Sequence, residues 1–181
     1  MRDALKDAGM SASAIGYIEA HGTGTPLGDP IELRALRAVY GVARGEGDPL
    51  PLGSLKTNVG HMEAAAGVGG LIKLVLALMH GAIPGNLHFK KPTPHVPWEK
   101  QRLTVPTATR EWVGRDGKAR LGAVSSFGFS GTNVHLIVEQ GSADLLQDAD
   151  DTDTELPRLL AVSAKSEIGR ASCRERVLVA V

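Results

Sequence analysis

Cysteine, aromatic rings and net charge are all scarce in this 181-residue chain. The single cysteine, Cys173, excludes an internal disulfide and fits a reducing compartment. Aromatic residues supply 4% of the chain against 43% apolar overall, so any core must be aliphatic and packed with glycine and alanine. Twenty basic residues balance twenty acidic ones, which removes the electrostatic case for nucleic acid or an anionic membrane. The longest apolar run, around Leu71 to Met79, is too short and too broken by glycine to span a bilayer. The opening residues, MRDALKDAGM, carry no signal-peptide pattern, and a cytoplasmic protein is expected. Six histidines are present, but no H-E-x-x-H or cysteine-containing ligand set, so no metal is expected.

What is present concentrates in residues 54–70, SLKTNVGHMEAAAGVGG. A short apolar run (Leu50, Leu52, Leu55) enters a polar turn carrying Lys56, Thr57, Asn58 and Gly60. His61 follows, and then a small-residue and apolar stretch over 64–79 in which Lys73 is the one charge. This pattern predicts a strand, a loop and a buried helix whose first turn begins at or next to His61. Free N–H groups and the positive dipole end gather there, which disfavours a second proton on the imidazole. A neutral imidazole so placed can donate to a developing oxyanion. Gly67, Gly69 and Gly70 each cost about 1 kcal/mol relative to Ala inside a helix, so another backbone is expected close by.

Before this, residues 1–8 alternate as a short amphipathic helix stopped by Gly9, and residues 15–20 (IGYIEA) read as a strand. That strand runs into His21-Gly-Thr-Gly-Thr-Pro, an imidazole and two hydroxyls on a glycine turn. The wording lacks the spacing of a P-loop or of a dinucleotide fingerprint. Asp29 is the expected N-cap of a helix over 31–42 that buries Ile31, Leu33, Ala35, Leu36 and Val39 and leaves Glu32, Arg34 and Arg37 in solvent. Strand, loop and helix in series make an α/β unit. Residues 83–97 read as an extended excursion, 102–105 as a short edge strand, and 120–126 with 134–139 as closing strands around FGFSGTN. His135 alternates within its strand as a structural residue, and Tyr17, Tyr40, Trp98 and Trp112 are packing residues. A lone loop histidine is more often structural than catalytic; two in like settings, His21 and His61 with Lys56 between them, could polarise one carbonyl from two directions.

Four stretches carry a resemblance: EAHGTGTPLGDPIE (19–32), GSLKTNVGHMEAAAGVGGLIK (53–73), PGNLHFKKPTP (84–94) and SSFGFSGTNVHLIVE (125–139). Together, in this order and spacing, the chain resembles the β-ketoacyl synthase (ketosynthase) domain of modular type I polyketide synthases. The resemblance implies a thiolase-like α/β fold, its C-terminal half only, as a mixed sheet with a buried glycine-rich helix. It implies decarboxylative Claisen condensation between an acyl thioester on a cysteine and a malonyl-type extender. The extender arrives on the phosphopantetheine arm of an acyl carrier protein, with no cofactor bound directly. His21 and His61 match the family's catalytic histidines and Lys56 its tuning lysine. Thr23 and Thr25 match the pantetheine-binding threonines, Phe127 and Phe129 its gating aromatics, and the Phe129 N–H an oxyanion donor. The family's Cys-Ser-Ser nucleophile elbow has no counterpart here, so the expected partners are the missing N-terminal half and the carrier protein. The intact domain is expected to dimerise.

The resemblance fills residues 1–140; 141–166 read as a post-ketosynthase linker by their acidic, polar composition. Residues 167–181 read as a non-native, adapter-like read-through, so Cys173 is set aside as a nucleophile. Such a half-domain is expected to expose a large apolar patch and, alone, to be inactive.

Overall fold

A computed structural model describes residues 1–141. The read-through expected at 167–181 with Cys173, and the linker expected at 141–166 apart from Gly141, lie outside the described residues. Helix α1 (Arg2–Asp7) closes with Gly9 at φ 64°, where Gly9 and Met10 N–H groups donate back to the Lys6 and Leu5 carbonyls. Strand β1 (Tyr17–Glu19) precedes helix α2 (Gly28–Val39). Strand β2 (Leu50–Gly53), the single-turn helix α3 (Lys56–Val59) and helix α4 (Ala66–His80) come next. The short strands β3 (Ala82–Ile83), β4 (Leu103–Thr104) and β5 (Arg110–Glu111) lead to a hairpin of β6 (Leu121–Phe127) and β7 (Asn133–Glu139).

Five strands form one sheet in the order β4-β2-β1-β6-β7, while β3 and β5 pair separately. β4, β2, β1 and β6 are parallel neighbours, and β7 returns antiparallel to β6 with Ala123 opposite Ile137. Side chains alternate across each strand, so neighbours on one strand enter different cores. Ile18, Leu50, Leu52 and Ala123 pack with Leu5 of α1 and with Leu33 and Leu36 of α2. Tyr17 and Val124 pack on the opposite face with Leu74, Ala77 and Leu78 of α4 and with Trp112. The result is a helix–sheet–helix sandwich around a mixed sheet.

Several sequence expectations are corrected. α2 begins at Gly28, so Asp29 lies inside its first turn. Leu33, Leu36 and Tyr40 fix the face turned to the sheet; Ile31 and Ala35 fall on the opposite side and are exposed, whereas Glu32 is buried. α4 begins at Ala66 after a 3₁₀ turn, Glu63–Ala65, so His61 stands two residues ahead of that turn and outside α4. α4 is covered on one face only: Val68, Ile72, Val75, Leu76 and Met79 are exposed. The helical glycines meet side chains and not a backbone, with a Cβ at Gly67 falling 2.9 Å from Ser126 Oγ and one at Gly70 3.2 Å from Glu19 Cγ. With its 3₁₀ lead-in, Glu63–His80 is long and apolar enough by length and composition to cross a membrane, contrary to the reading of 71–79 alone. Its packing on β6 and β1 and the ion pair of Lys73 with Glu19 make it the helix that covers this sheet.

His135 is structural, as its alternation indicates. The Tyr40 hydroxyl is hydrogen-bonded to Nε2 across 2.6 Å, and Ser125 Oγ to Nδ1 across 3.0 Å, so both ring nitrogens are satisfied within the fold.

Candidate active site

The loop after β1 is held open by carboxylates from α2. Buried Glu32 accepts the His21 and Gly22 N–H groups, each at 2.8 Å. Asp29 accepts the Gly24 N–H at 3.0 Å, and Thr25 Oγ1 accepts the Gly28 N–H at 2.9 Å. Gly22 (φ 47°) and Gly24 (φ 75°) occupy the left-handed region, which is why the loop alternates glycine with threonine. Burial raises the Glu32 carboxyl above its ordinary range, and the two donated N–H groups oppose that rise.

This loop brings His21 beside His61. Their ring centroids are 5.7 Å apart at an interplanar angle of 84°. The Phe127 ring lies 5.3 Å from His21 on its other side. Both imidazoles use Nδ1 in the same way. The Phe127 N–H donates to His21 Nδ1 at 3.4 Å, and the Glu63 N–H donates to His61 Nδ1 at 2.9 Å. Glu63 holds a φ of 48°, uncommon for a residue with a Cβ, to turn its N–H back on that ring. An Nδ1 that accepts a backbone proton carries none, so the ring proton of each imidazole sits on Nε2 and is free to donate.

Charge reinforces this at His21. Burial, the Lys56 ammonium and the neighbouring His61 all push its pKa below the ordinary value, so it is neutral at pH 7. Lys56 opens α3 and is half-buried; burial lowers its pKa, and the Glu19 and Glu32 carboxylates partly restore it.

His21, His61, Thr23, Thr25, Phe127 and Phe129 line one open groove of about 790 Å³. Lys56 does not line it and acts on His21 through its charge. The Thr23 and Thr25 hydroxyl oxygens are 3.5 Å apart on its rim. The Phe129 side chain stands fully in solvent, while the turn beneath it is closed by Gly128 N–H donating to the Thr132 carbonyl at 2.7 Å. A hollow of similar size, about 770 Å³ between Arg37, Gly41 and Trp98, contains none of these residues. Among the described residues no cluster of three His, Cys, Asp or Glu side chains is placed to hold a metal. Two imidazoles that line one groove with Nε2–H left to donate suit the stabilisation of negative charge on a single oxygen.

Sequence reasoning missed Glu32, assigned to solvent, and also Glu19 and Lys73. The phase set by Leu33, Leu36 and Tyr40 places Glu32 at the margin of the buried face and was the available signal. For Glu19 the signal was a carboxylate in a strand whose neighbours are apolar.

The family profile described as "Beta-ketoacyl synthase, C-terminal domain" matches residues 1–90. A second, "Ketoacyl-synthetase C-terminal extension", matches 92–178. A phenolphthiocerol/phthiocerol polyketide synthase of Mycobacterium tuberculosis is 54% identical over 141 residues, 78% of this chain and 8% of that protein. Erythronolide synthase EryA3 of Saccharopolyspora erythraea is 48% identical over 168 residues, 92% of this chain and 5% of that protein. The chain thus spans less than a tenth of the length of these relatives. Among solved structures, the ketosynthase from module 6 of the bacillaene synthase of Bacillus subtilis matches with a TM-score of 0.72 and 42% identity, over 78% of this chain and 25% of that one.

Proposed function

We propose, from the premise that this chain belongs to the β-ketoacyl synthase family as a C-terminal ketosynthase domain of modular polyketide synthases, that it supplies the decarboxylation and enolate-binding half of a condensing site. The observation that carries this is the pair of imidazoles, each with Nδ1 satisfied by a backbone N–H and Nε2–H left to donate. A malonyl-type thioester reaches the groove on the phosphopantetheine arm of an acyl carrier protein, with the Thr23 and Thr25 hydroxyls set to bond the arm's amides. The bond to the carboxylate breaks, CO2 leaves, and its electron pair forms an enolate whose oxygen takes hydrogen bonds from His21 and His61. The enolate carbon attacks an acyl thioester, and the Phe129 N–H is a donor for the resulting oxyanion. Collapse expels a cysteine thiolate and leaves a β-ketoacyl chain on the carrier. Burial, with the Lys56 charge beside it, keeps His21 neutral throughout.

The thiolate belongs to an N-terminal ketosynthase half, and the apolar face of α4 supports pairing with such a partner. That face equally favours a second reading, a complementing half that binds carrier protein without chemistry of its own. The two readings separate when the full chain is joined behind the N-terminal half of a relative and supplied with malonyl-carrier. His21→Ala or His61→Ala is expected to slow CO2 release about 100-fold or more, as loss of one oxyanion donor does. Unchanged CO2 release in both variants would remove the catalytic reading and leave the binding one. The full chain without that half is expected to condense nothing, and Cys173→Ala to change nothing.

A further inference from the structure

A second polar cluster, outside the lining of the groove, centres on buried Glu19. Glu19, 1% exposed at the end of β1, accepts the Tyr17 hydroxyl at 2.7 Å and pairs with Lys73 Nζ at 2.8 Å through Oε2. Its other oxygen accepts the N–H of Leu55, the residue that caps α3. Lys73 is the one charged residue of α4, and its side chain is 11% exposed. Two glycines make room for the cluster. A Cβ at Gly53 would overlap the Tyr17 hydroxyl, and one at Gly70 would fall 3.2 Å from Glu19 Cγ.

A buried ion pair is a poor way to gain stability, since apolar residues of the same volume often serve as well or better. What this pair does is spatial. β1 leads directly into His21, α3 begins at Lys56, and α4 follows the turn that holds His61. One carboxylate is bonded to all three elements.

We propose that Glu19, with Lys73 as its counter-ion, is a positioning residue for the condensing site, fixing the elements that deliver His21, Lys56 and His61 in register with one another. This rests on the condensing reading given above. Glu19 does not line the groove and touches no substrate. It acts by holding two rings on separate elements at the spacing that lets both Nε2–H groups meet one oxygen. Effective catalysis tolerates little error there, because displacements of about 1 Å cost on the order of 100-fold.

The test uses the full chain joined behind a relative's N-terminal ketosynthase half, with Glu19→Gln, Lys73→Met and the double variant. Cysteine acylation by an acyl donor, malonyl decarboxylation and thermal unfolding are measured for each. Glu19→Gln is expected to lower kcat for decarboxylation by roughly 10- to 100-fold with KM changed less than about twofold and acylation unchanged. Lys73→Met alone strands a buried carboxylate and is expected to unfold at the lowest temperature. The double variant is expected to regain thermal stability while its decarboxylation stays slow. Recovery of rate together with stability, or a wild-type kcat in Glu19→Gln, would overturn the positioning role. His21→Ala and His61→Ala run alongside: if they abolish CO2 release and Glu19→Gln does not alter it, only this inference fails. If neither histidine matters, the condensing reading fails first.

Discussion

His21 owes its charge state to burial and to two neighbours, and each neighbour can be altered separately. Burial, Lys56 and His61 all lower its pKa, so the acid limb of decarboxylation is expected below about pH 6.5, the value of a free imidazole. Lys56→Met removes one depressing charge and should move that limb to higher pH, whatever it does to the plateau rate. A limb that stays in place would show that Lys56 does not act on His21. His135 gives a stability counterpart. Burial, with the nearby Met1 amino group, holds it down to about 4. A folded-state pKa below the free value means that the unfolded chain binds the extra proton between about pH 6.5 and 4. Stability therefore rises with pH across that window, by at most roughly 3 kcal/mol, and levels off above it. Urea unfolding at pH 4 to 7 should show this slope, and His135→Phe should flatten it. At this scale the residues that line the groove were legible in the sequence, because His21, His61 and the threonines stand in distinctive glycine-rich wording. Their supports were not: Glu32 and Glu19 look like any surface carboxylate until the helix phase and the strand's burial are known.

The elements were legible where a local pattern decides them. Alternation in 134–139 marks β7, the closing strand of the β6–β7 hairpin, and Gly9 marks the end of α1. The phase of α2 is hidden because Asp29-Pro30 imitates a cap, while the tertiary demand of the loop draws Asp29 back to Gly24. The strand β2 ends at a glycine for a reason that only its neighbours reveal. Gly53→Ala would push a methyl into the Tyr17 hydroxyl and break its bond to Glu19, with an expected loss of roughly 1–3 kcal/mol. Gly45→Ala meets nothing within 4 Å and should cost nothing, with a gain of up to about 1 kcal/mol from the stiffer unfolded chain. Equal losses at the two positions, read by thermal unfolding of the joined protein, would contradict this assignment of space.

For the whole molecule the decisive feature is the face of α4 turned away from the sheet. Val68, Ile72, Leu76 and Met79 lie there, Met79 at 66% exposure, beside a small apolar hollow of about 390 Å³ that Ile72, Leu76 and Pro84 help to line. Exposed apolar surface of this kind favours association. The full chain alone is expected to self-associate in light scattering, and Ile72→Lys with Leu76→Lys to suppress it. The resemblance to one half of a domain implied an apolar patch, whereas the sequence pattern placed α4 in a closed core. Composition shows that a helix is apolar all round and not which of its faces another layer covers.

The claim on which all of this turns is that His21 and His61 serve one oxygen together. A double-mutant cycle on CO2 release from malonyl-carrier, in the full chain joined behind a relative's N-terminal ketosynthase half, measures that directly. Two donors that act as a unit are grossly non-additive, so the double alanine variant should be only slightly slower than either single variant. Losses that multiply in the double variant would mean that the two imidazoles act independently, and the shared oxyanion site would be wrong.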